Sequence, residues 1–486
     1  MAQPNILMIM TDQQRRDTLG AYGCDWIATP NLDRLAAEGT LFTRATVDNP
    51  ICTPSRASIF TGKPVFEHSV LRVHDNLPDD EMQFPERLRR EAGYRTALFG
   101  KLHTSSRVKE ETQRHPNDGF EIYEWCLEPS VSMDSRFNGY VAWLRERAPD
   151  FLAALRQNGR GVLHHPEDLH MSKWAADRTI AFLEDARQDD QPFFCLMSLF
   201  DPHDPYEDHP MAARALVDAA KIPAPIVKED APDCVRREQQ ASYLGRADAF
   251  IAEDIRDIRL GYGASIGFAD QQIGRVLDAL DRAGLAETTL VIFLSDHGDQ
   301  LGDHGLFVKG VGLYEPTVGV PLILRWPGHV AAGARTGALA QGRDIATTCL
   351  TAAGLDRSAL PLSEDLVEMA AAGRARRNAA ATLYRNSGIN KDSSFWEPPM
   401  LSSMVRDERY KLIVYASGGR TERELFDLEH DPAETRNLAG LPAHAETEAR
   451  LLAELSALMH AEAAHLQPRA APSLPQPGQR LKNALK

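Results

Sequence analysis

Short apolar runs that stop abruptly at polar residues constrain this chain more than any other feature. Ile6-Leu7-Met8-Ile9-Met10 has no polar position on either face and runs into Thr11-Asp12-Gln13. A strand of that kind is buried on both sides, as in the centre of a parallel sheet. Three further runs share the form. Residues 94–99 lead into Gly100-Lys101-Leu102-His103, residues 193–199 into Asp201-Pro202-His203-Asp204, and residues 290–294 into Ser295-Asp296-His297-Gly298-Asp299. Helical periodicity covers residues 31–38, 173–186 and 266–283. Strands alternating with helices predict an α/β fold, a large, mixed but mostly parallel sheet sandwiched by helices.

The carboxyl ends of parallel strands share one edge, and ligands bind in the crevice there. Four segments therefore deliver Asp12, Gln13, Lys101, His103, His203, Asp296 and His297 to one place. A lone aspartate in a turn is usually a cap, but their joint occurrence at four strand ends points to a site. Two carboxylates, an amide oxygen and an imidazole suit a divalent cation: Asp12, Gln13, Asp296 and His297 with Ca²⁺, Mg²⁺ or Mn²⁺. Lys101, His103 and His203 are then placed to bind an anion and move protons. Asp299 is expected to be a loop residue.

Near residue 380 the pattern changes. Residues 402–406, 410–415 and 424–427 predict short antiparallel strands, followed by a helix near 443–465. The expected division is a catalytic unit over 1–380, a smaller C-terminal α+β subdomain over 381–465 and an extended, proline-bearing tail over 466–486. Residues 204–257 are expected to form a long insertion over the site. The chain carries 54 Lys+Arg against 69 Asp+Glu, a net charge of −15. That balance argues against nucleic acid or an anionic membrane as a partner. No stretch reaches the roughly 18 apolar residues needed to span a bilayer, and the amino terminus lacks a signal-peptide pattern, so a cytoplasmic location is expected. The six cysteines are scattered without a C-x-x-C pair, which disfavours a disulfide scaffold or a thiolate zinc site.

The strongest single motif is Cys52-Thr53-Pro54-Ser55-Arg56, followed by Thr61-Gly62. Pro54 suits the first turn of a helix, which puts Cys52 beside a helix N-terminus, where the dipole favours a thiolate. The residues alone leave open a reactive nucleophile or a small buried cysteine. The motif closely resembles the signature of the formylglycine-dependent sulfatases. The resemblance covers most of the chain. Asn5-Ile6-Leu7 with Asp12, the run Thr29-Pro30-Asn31-Leu32-Asp33-Arg34-Leu35-Ala36, Gly100-Lys101-Leu102-His103 and Ser295-Asp296-His297-Gly298 all resemble family motifs. So do Leu301-Gly302-Asp303-His304-Gly305 and, in the C-terminal part, Glu424-Leu425-Phe426-Asp427-Leu428, Asp431-Pro432-Ala433-Glu434 and Asn437-Leu438-Ala439.

The resemblance implies the alkaline phosphatase-like fold and hydrolysis of small-molecule sulfate esters through a covalent sulfo-enzyme. It implies a formylglycine made from Cys52 by a maturation enzyme. One divalent cation is implied, Ca²⁺ ahead of Mn²⁺ or Mg²⁺, held by Asp12, Gln13, Cys52 after conversion, Asp296 and His297. Arg56 is expected to hold the nucleophile, His103 to act as base, His203 as acid, and Lys101 and Lys309 to neutralise the sulfuryl oxygens. His304 and His74-Asp75-Asn76 are expected to line the substrate pocket or to serve structure. A homo-oligomer is compatible with the sequence. One departure stands out: Gln13 occupies a position that is aspartate in many sulfatases. That amide is also seen in the phosphonate monoester hydrolase branch, which makes phosphonate monoester or phosphodiester hydrolysis the alternative. The lysine in Gly100-Lys101-Leu102-His103 favours a sulfate ester. A non-catalytic anion- or metal-binding role is disfavoured by the intact set of site residues.

Overall fold

The computed structural model describes residues 3–187, 190–241, 244, 249–388 and 395–465. In chain order, one sheet contains β1 (Asn5–Thr11), β2 (Thr40–Thr46), β3 (Arg95–Gly100), β4 (Ile122–Trp125), β5 (Phe193–Ser198), β6 (Thr289–Ser295), β7 (Leu322–Arg325) and β8 (Ala334–Gln341). A second contains β9 (Ala380–Arg385), β10 (Leu401–Arg406), β11 (Tyr410–Ser417) and β12 (Arg420–Asp427). The large sheet has the order β4-β3-β5-β1-β6-β7-β2-β8. β7 is antiparallel to both neighbours and the other pairings are parallel. This is the mixed, mostly parallel architecture that the apolar runs predict.

Side chains alternate across a strand, so β1 feeds two cores. Ile6, Met8 and Met10 join Leu196, Ile292, Phe60 and Ile345 on one face. Leu7 and Ile9 join Cys195, Phe293, Leu35, Trp174 and Ile273 on the other. All five β1 residues are fully buried, each worth about 1.5–3 kcal/mol relative to exposure. Gly100 closes β3 at φ +112°, where a Cβ would lie 1.9 Å from the Ser198 carbonyl oxygen of β5. Only glycine lets the two strand ends approach this closely.

The helix expected from residue 266 is longer, Ala252–Arg282. Its first turns carry Glu253, Asp254, Arg256 and Asp257 and face solvent, so they show no apolar periodicity. The 204–257 stretch thus contains the start of this helix and a separate helix, Asp233–Ala241. The small sheet packs Met404, Ile413 and Phe426 into the first core. Its other face packs Val405, Leu412 and Leu425 against Leu451 and Leu455 of the Ala445–Ala464 helix. The expected tail, 466–486, lies outside the described residues. No helix among the described residues is long and apolar enough to cross a membrane.

Candidate active site

β3, β5, β1 and β6 are successive neighbours in the sheet, so the residues that follow them share one edge. Ladder-like bonds continue past the strands: Lys101 N–H donates to Ser198 O at 3.2 Å, Asp12 N–H to Asp201 O at 3.2 Å, and Asp296 N–H to Thr11 O at 3.3 Å. Cys52 is the first residue of the helix Cys52–Thr61, which ends at Gly62 in the left-handed conformation (φ 72°). Ser55 Oγ donates to Asp296 O at 2.6 Å and ties this helix to the end of β6.

Asp12, Asp296 and His297 are fully buried, with ligand atoms within 4.8 Å of one another. His297 Nδ1–H donates to Gly298 O at 2.9 Å, leaving the Nε2 lone pair free. Nε2 lies 3.7 Å from Asp12 Oδ1 and 3.7 Å from Asp296 Oδ1. Neither Nε2 nor Asp12 Oδ1 has a hydrogen-bond partner. Two buried acceptors left open beside a second carboxylate fit a divalent cation. Arg56, fully buried, donates to Asp296 Oδ2 at 2.6 Å, Asp12 Oδ2 at 3.1 Å and Lys101 O at 2.9 Å. Its contacts are thus with both carboxylates and the β3 end. Lys101 pairs with Asp12 Oδ2. Burial pushes the Asp12 carboxyl up, but Lys101, His203, Arg56 and Lys309 together hold it well below the carboxylate range. Burial likewise pushes the Cys52 thiol up, and Lys101, His297 and Lys309 outweigh it, so the thiol sits below its ordinary value.

The opposite flank is built from loops. Lys309 donates to Gln13 Oε1 and, at 2.8 Å, to His203 Nε2. Gln13 Nε2 donates to Asp299 Oδ2 at 2.6 Å, and Tyr206 Oη donates to the same oxygen at 2.8 Å. The amide oxygen of Gln13 therefore faces Lys309. Burial, with Lys309, pushes His203 down to about 3, so it rests neutral. His103 is held well below its ordinary value by burial and then by Lys101 and Arg56. Its Nε2 lies 3.1 Å from Thr53 Oγ1, next to Cys52, and its Nδ1 has no partner.

Asp299, expected in a loop, is fully buried and anchors Gln13 and Tyr206. Glu110, Tyr206 and Ser198 also serve the site, and no local sequence signal marks them. His304 stacks on Tyr314 with ring centroids 4.1 Å apart, toward the small sheet. His74 is exposed with its ring edge-on to Phe395, while Asp75 bonds Arg72 and Asn76 accepts from Ser106. A second buried trio, His170, Asp201 and Asp208, lies behind the His203 loop. There His170 Nδ1 accepts the Ser172 N–H at 3.2 Å and the Ser172 hydroxyl donates to Asp201, closing the start of the Met171–Ala186 helix.

Buried carboxylates and a histidine beside an activated helix-terminal residue, on the carboxyl edge of an α/β sheet, define a metallohydrolase-like site. Residues 4–355 match the family model for sulfatases, and residues 302–461 match the model for the C-terminal part of N-sulphoglucosamine sulphohydrolase. The chain belongs to the sulfatase family, within the alkaline phosphatase superfamily. It is 31% identical over 464 residues to an arylsulfatase of Clostridium perfringens, covering 90% of each chain. It is 26% identical over 519 residues to an N-acetylglucosamine-6-O-sulfatase of Bacteroides thetaiotaomicron, covering 93% of this chain and 85% of the other. Among solved structures, the phosphonate monoester hydrolase of Agrobacterium radiobacter superposes with a TM-score of 0.77 at 26% identity, covering 96% of each chain.

Proposed function

We propose that this protein hydrolyses sulfate monoesters of small alcohols or phenols, using a formylglycine made from Cys52 by a maturation enzyme. The observation that carries this reading is the buried Cys52 at a helix N-terminus, beside Lys101, His297 and the Asp12–Asp296 carboxylates. Asp12, Asp296 and His297 would hold one divalent cation, Ca²⁺ in the first instance; Gln13 would join them only by turning its amide oxygen from Lys309 toward the ion. When bound it supplies positive charge that acidifies the nucleophile and offsets charge on the sulfuryl oxygens.

Hydrated formylglycine bears two hydroxyls on one carbon. One hydroxyl loses its proton to solvent and its oxygen attacks sulfur, the ester S–O bond breaks, and the alcohol leaves with the electron pair and a proton delivered through His203. Lys309, donating to His203 Nε2, is placed to supply that proton and to stabilise the leaving oxygen. Lys101 faces the nucleophile and neutralises charge that builds in the transition state. His103, neutral and one residue's reach from Cys52, takes the proton of the remaining hydroxyl. The C=O bond re-forms, the C–O bond to the sulfuryl group breaks, and sulfate leaves. Water then rehydrates the aldehyde.

The division into a catalytic unit over 1–380 and a subdomain over 381–465, and a cytoplasmic location, belong to the same proposal. The alternative, phosphonate monoester or phosphodiester hydrolysis, rests on Gln13. The test is kcat/KM for a sulfate, a phosphonate and a phosphodiester sharing one leaving group, on protein whose Cys52 conversion has been checked by peptide mass. The sulfate is expected to lead. A lead for the phosphonate or the diester establishes the alternative.

A further inference from the structure

Glu110 ends the short helix Arg107–Glu110, 3% exposed, in a stretch with no readable sequence signal. Its Oε2 accepts the His103 N–H at 3.0 Å and the Trp125 indole N–H at 3.0 Å, and its Oε1 accepts the Ser105 N–H at 3.1 Å. One carboxylate thus gathers donors from both sides of Thr104 and from the end of β4. The loop needs such an anchor, because His103 is held at φ +57°, a conformation that L-residues rarely adopt. With the loop locked, His103 Nε2 stays 3.1 Å from Thr53 Oγ1.

We propose that Glu110 is a positioning residue for the second half of the reaction: it aims His103 at the hydroxyl left on the sulfated intermediate. This rests on the reading of His103 as the base. In that step His103 takes the hydroxyl proton, its O–H electron pair becomes the new C=O bond, and the C–O bond to the sulfuryl group breaks with its pair leaving on sulfate. A 1 Å misplacement of the base slows proton removal without touching Lys101, Lys309 or the metal ligands. The ionised form is suited to the task because both its oxygens accept, and since burial pushes Glu110 up to about 7 that form prevails above neutral pH. A carboxamide would turn an NH₂ toward one of the three N–H groups.

The experiment is a pre-steady-state comparison of formylglycine-bearing wild type, Glu110→Gln and His103→Ala on an aryl sulfate with a good leaving group. In Glu110→Gln, steady-state turnover is expected to fall on the order of 10²-fold. A burst of about one equivalent of phenol should precede it, and the peptide holding residue 52 should carry an added sulfuryl group in intact mass. His103→Ala should show the same burst and adduct. Glu110→Asp, which keeps the carboxylate, should restore part of the second step, and it carries the test if Glu110→Gln does not fold. Uniform slowing of Glu110→Gln without burst or adduct, or unchanged turnover, overturns the proposal when His103→Ala does accumulate the adduct. Absence of the adduct in His103→Ala overturns the base assignment and the inference with it.

Discussion

Asp12, Lys101 and Asp296 follow directly from β1, β3 and β6, and Arg56 joins all three through hydrogen bonds. His203, Lys309 and Asp299 instead sit on loops that depend on one another and on an insertion. The helix Asp233–Ala241 grips the Lys309 loop, with Glu238 Oε2 accepting the Val311 N–H at 2.9 Å and Gln239 Nε2 donating to His304 O at 2.7 Å. At Gly310 a Cβ would fall 1.7 Å from Glu238 Oε1, so a larger residue there would displace the carboxyl that holds Val311. In the proposed reaction the strand-end flank carries the charge that meets the sulfuryl group. In that reaction the loop flank, through His203 and Lys309, faces the leaving group. The contrast teaches that one site can join side chains fixed directly by strand ends to side chains held only through interdependent loops.

The largest effect is expected where both flanks converge. Cys52→Ala should leave no measurable turnover while keeping the wild-type melting profile. Cys52→Ser should also fail in steady state, since a single hydroxyl can be sulfated but cannot expel sulfate by re-forming an aldehyde. Wild-type turnover by the serine variant, measured with an aryl sulfate, would falsify the diol chemistry.

Next comes the strand-end flank. Chelation should abolish activity, with Ca²⁺ or Mn²⁺ restoring it in wild type and not in Asp12→Asn. Crystals grown with Mn²⁺ should show anomalous density between Asp12, Asp296 and His297, and its absence there would remove the metal assignment. Lys101→Ala should lower kcat/KM by about two to four orders of magnitude, by a similar factor for good and poor leaving groups.

The loop flank should behave differently. His203→Ala should cost about 10²-fold or more with an alkyl sulfate, whose alcohol needs a proton, and far less with a nitrophenyl sulfate. If both substrates lost the same factor, the division of labour between the flanks would collapse. The smallest effect concerns stability. Burial pushes the Glu238 carboxyl up to about 8. A raised carboxyl contributes stability that is complete below the unfolded value and is lost as pH rises through the folded one. Glu238 should therefore contribute a loss of about 1 kcal/mol between pH 7 and pH 9, and Glu238→Gln should lower the slope of wild-type thermal melts over that range by this amount.

Much of the strand-end flank is legible in the sequence. An apolar run followed by Asp12, Lys101 or Asp296 needs only strand periodicity and the shared edge of a parallel sheet. Cys52 needs only Pro54 and the helix start. The loop flank was partly legible: His203 ends a strand, and Lys309 rests on resemblance to a family. Asp299 looked like an ordinary loop residue, because nothing local distinguishes a solvated aspartate from one buried against Tyr206. Glu110 gave no signal at all, since its partners are an indole from β4 and main-chain groups of a neighbouring loop.

By itself, then, the order of residues determined the sheet, the edge at which the polar residues gather and the helix start that carries Cys52, since these follow from patterns within about ten residues of each other. Only the tertiary structure decided how the ligands are aimed. Gln13, His103, Leu301, His304 and Val308 all take positive φ without being glycine, and no local preference produces that. Such conformations cost on the order of 1–3 kcal/mol each. They persist because side-chain acceptors over-determine the backbone: the Gln13 N–H donates to Asp296, brought alongside by the sheet, and the His103 N–H donates to Glu110 within its own loop, itself held by Trp125 of β4.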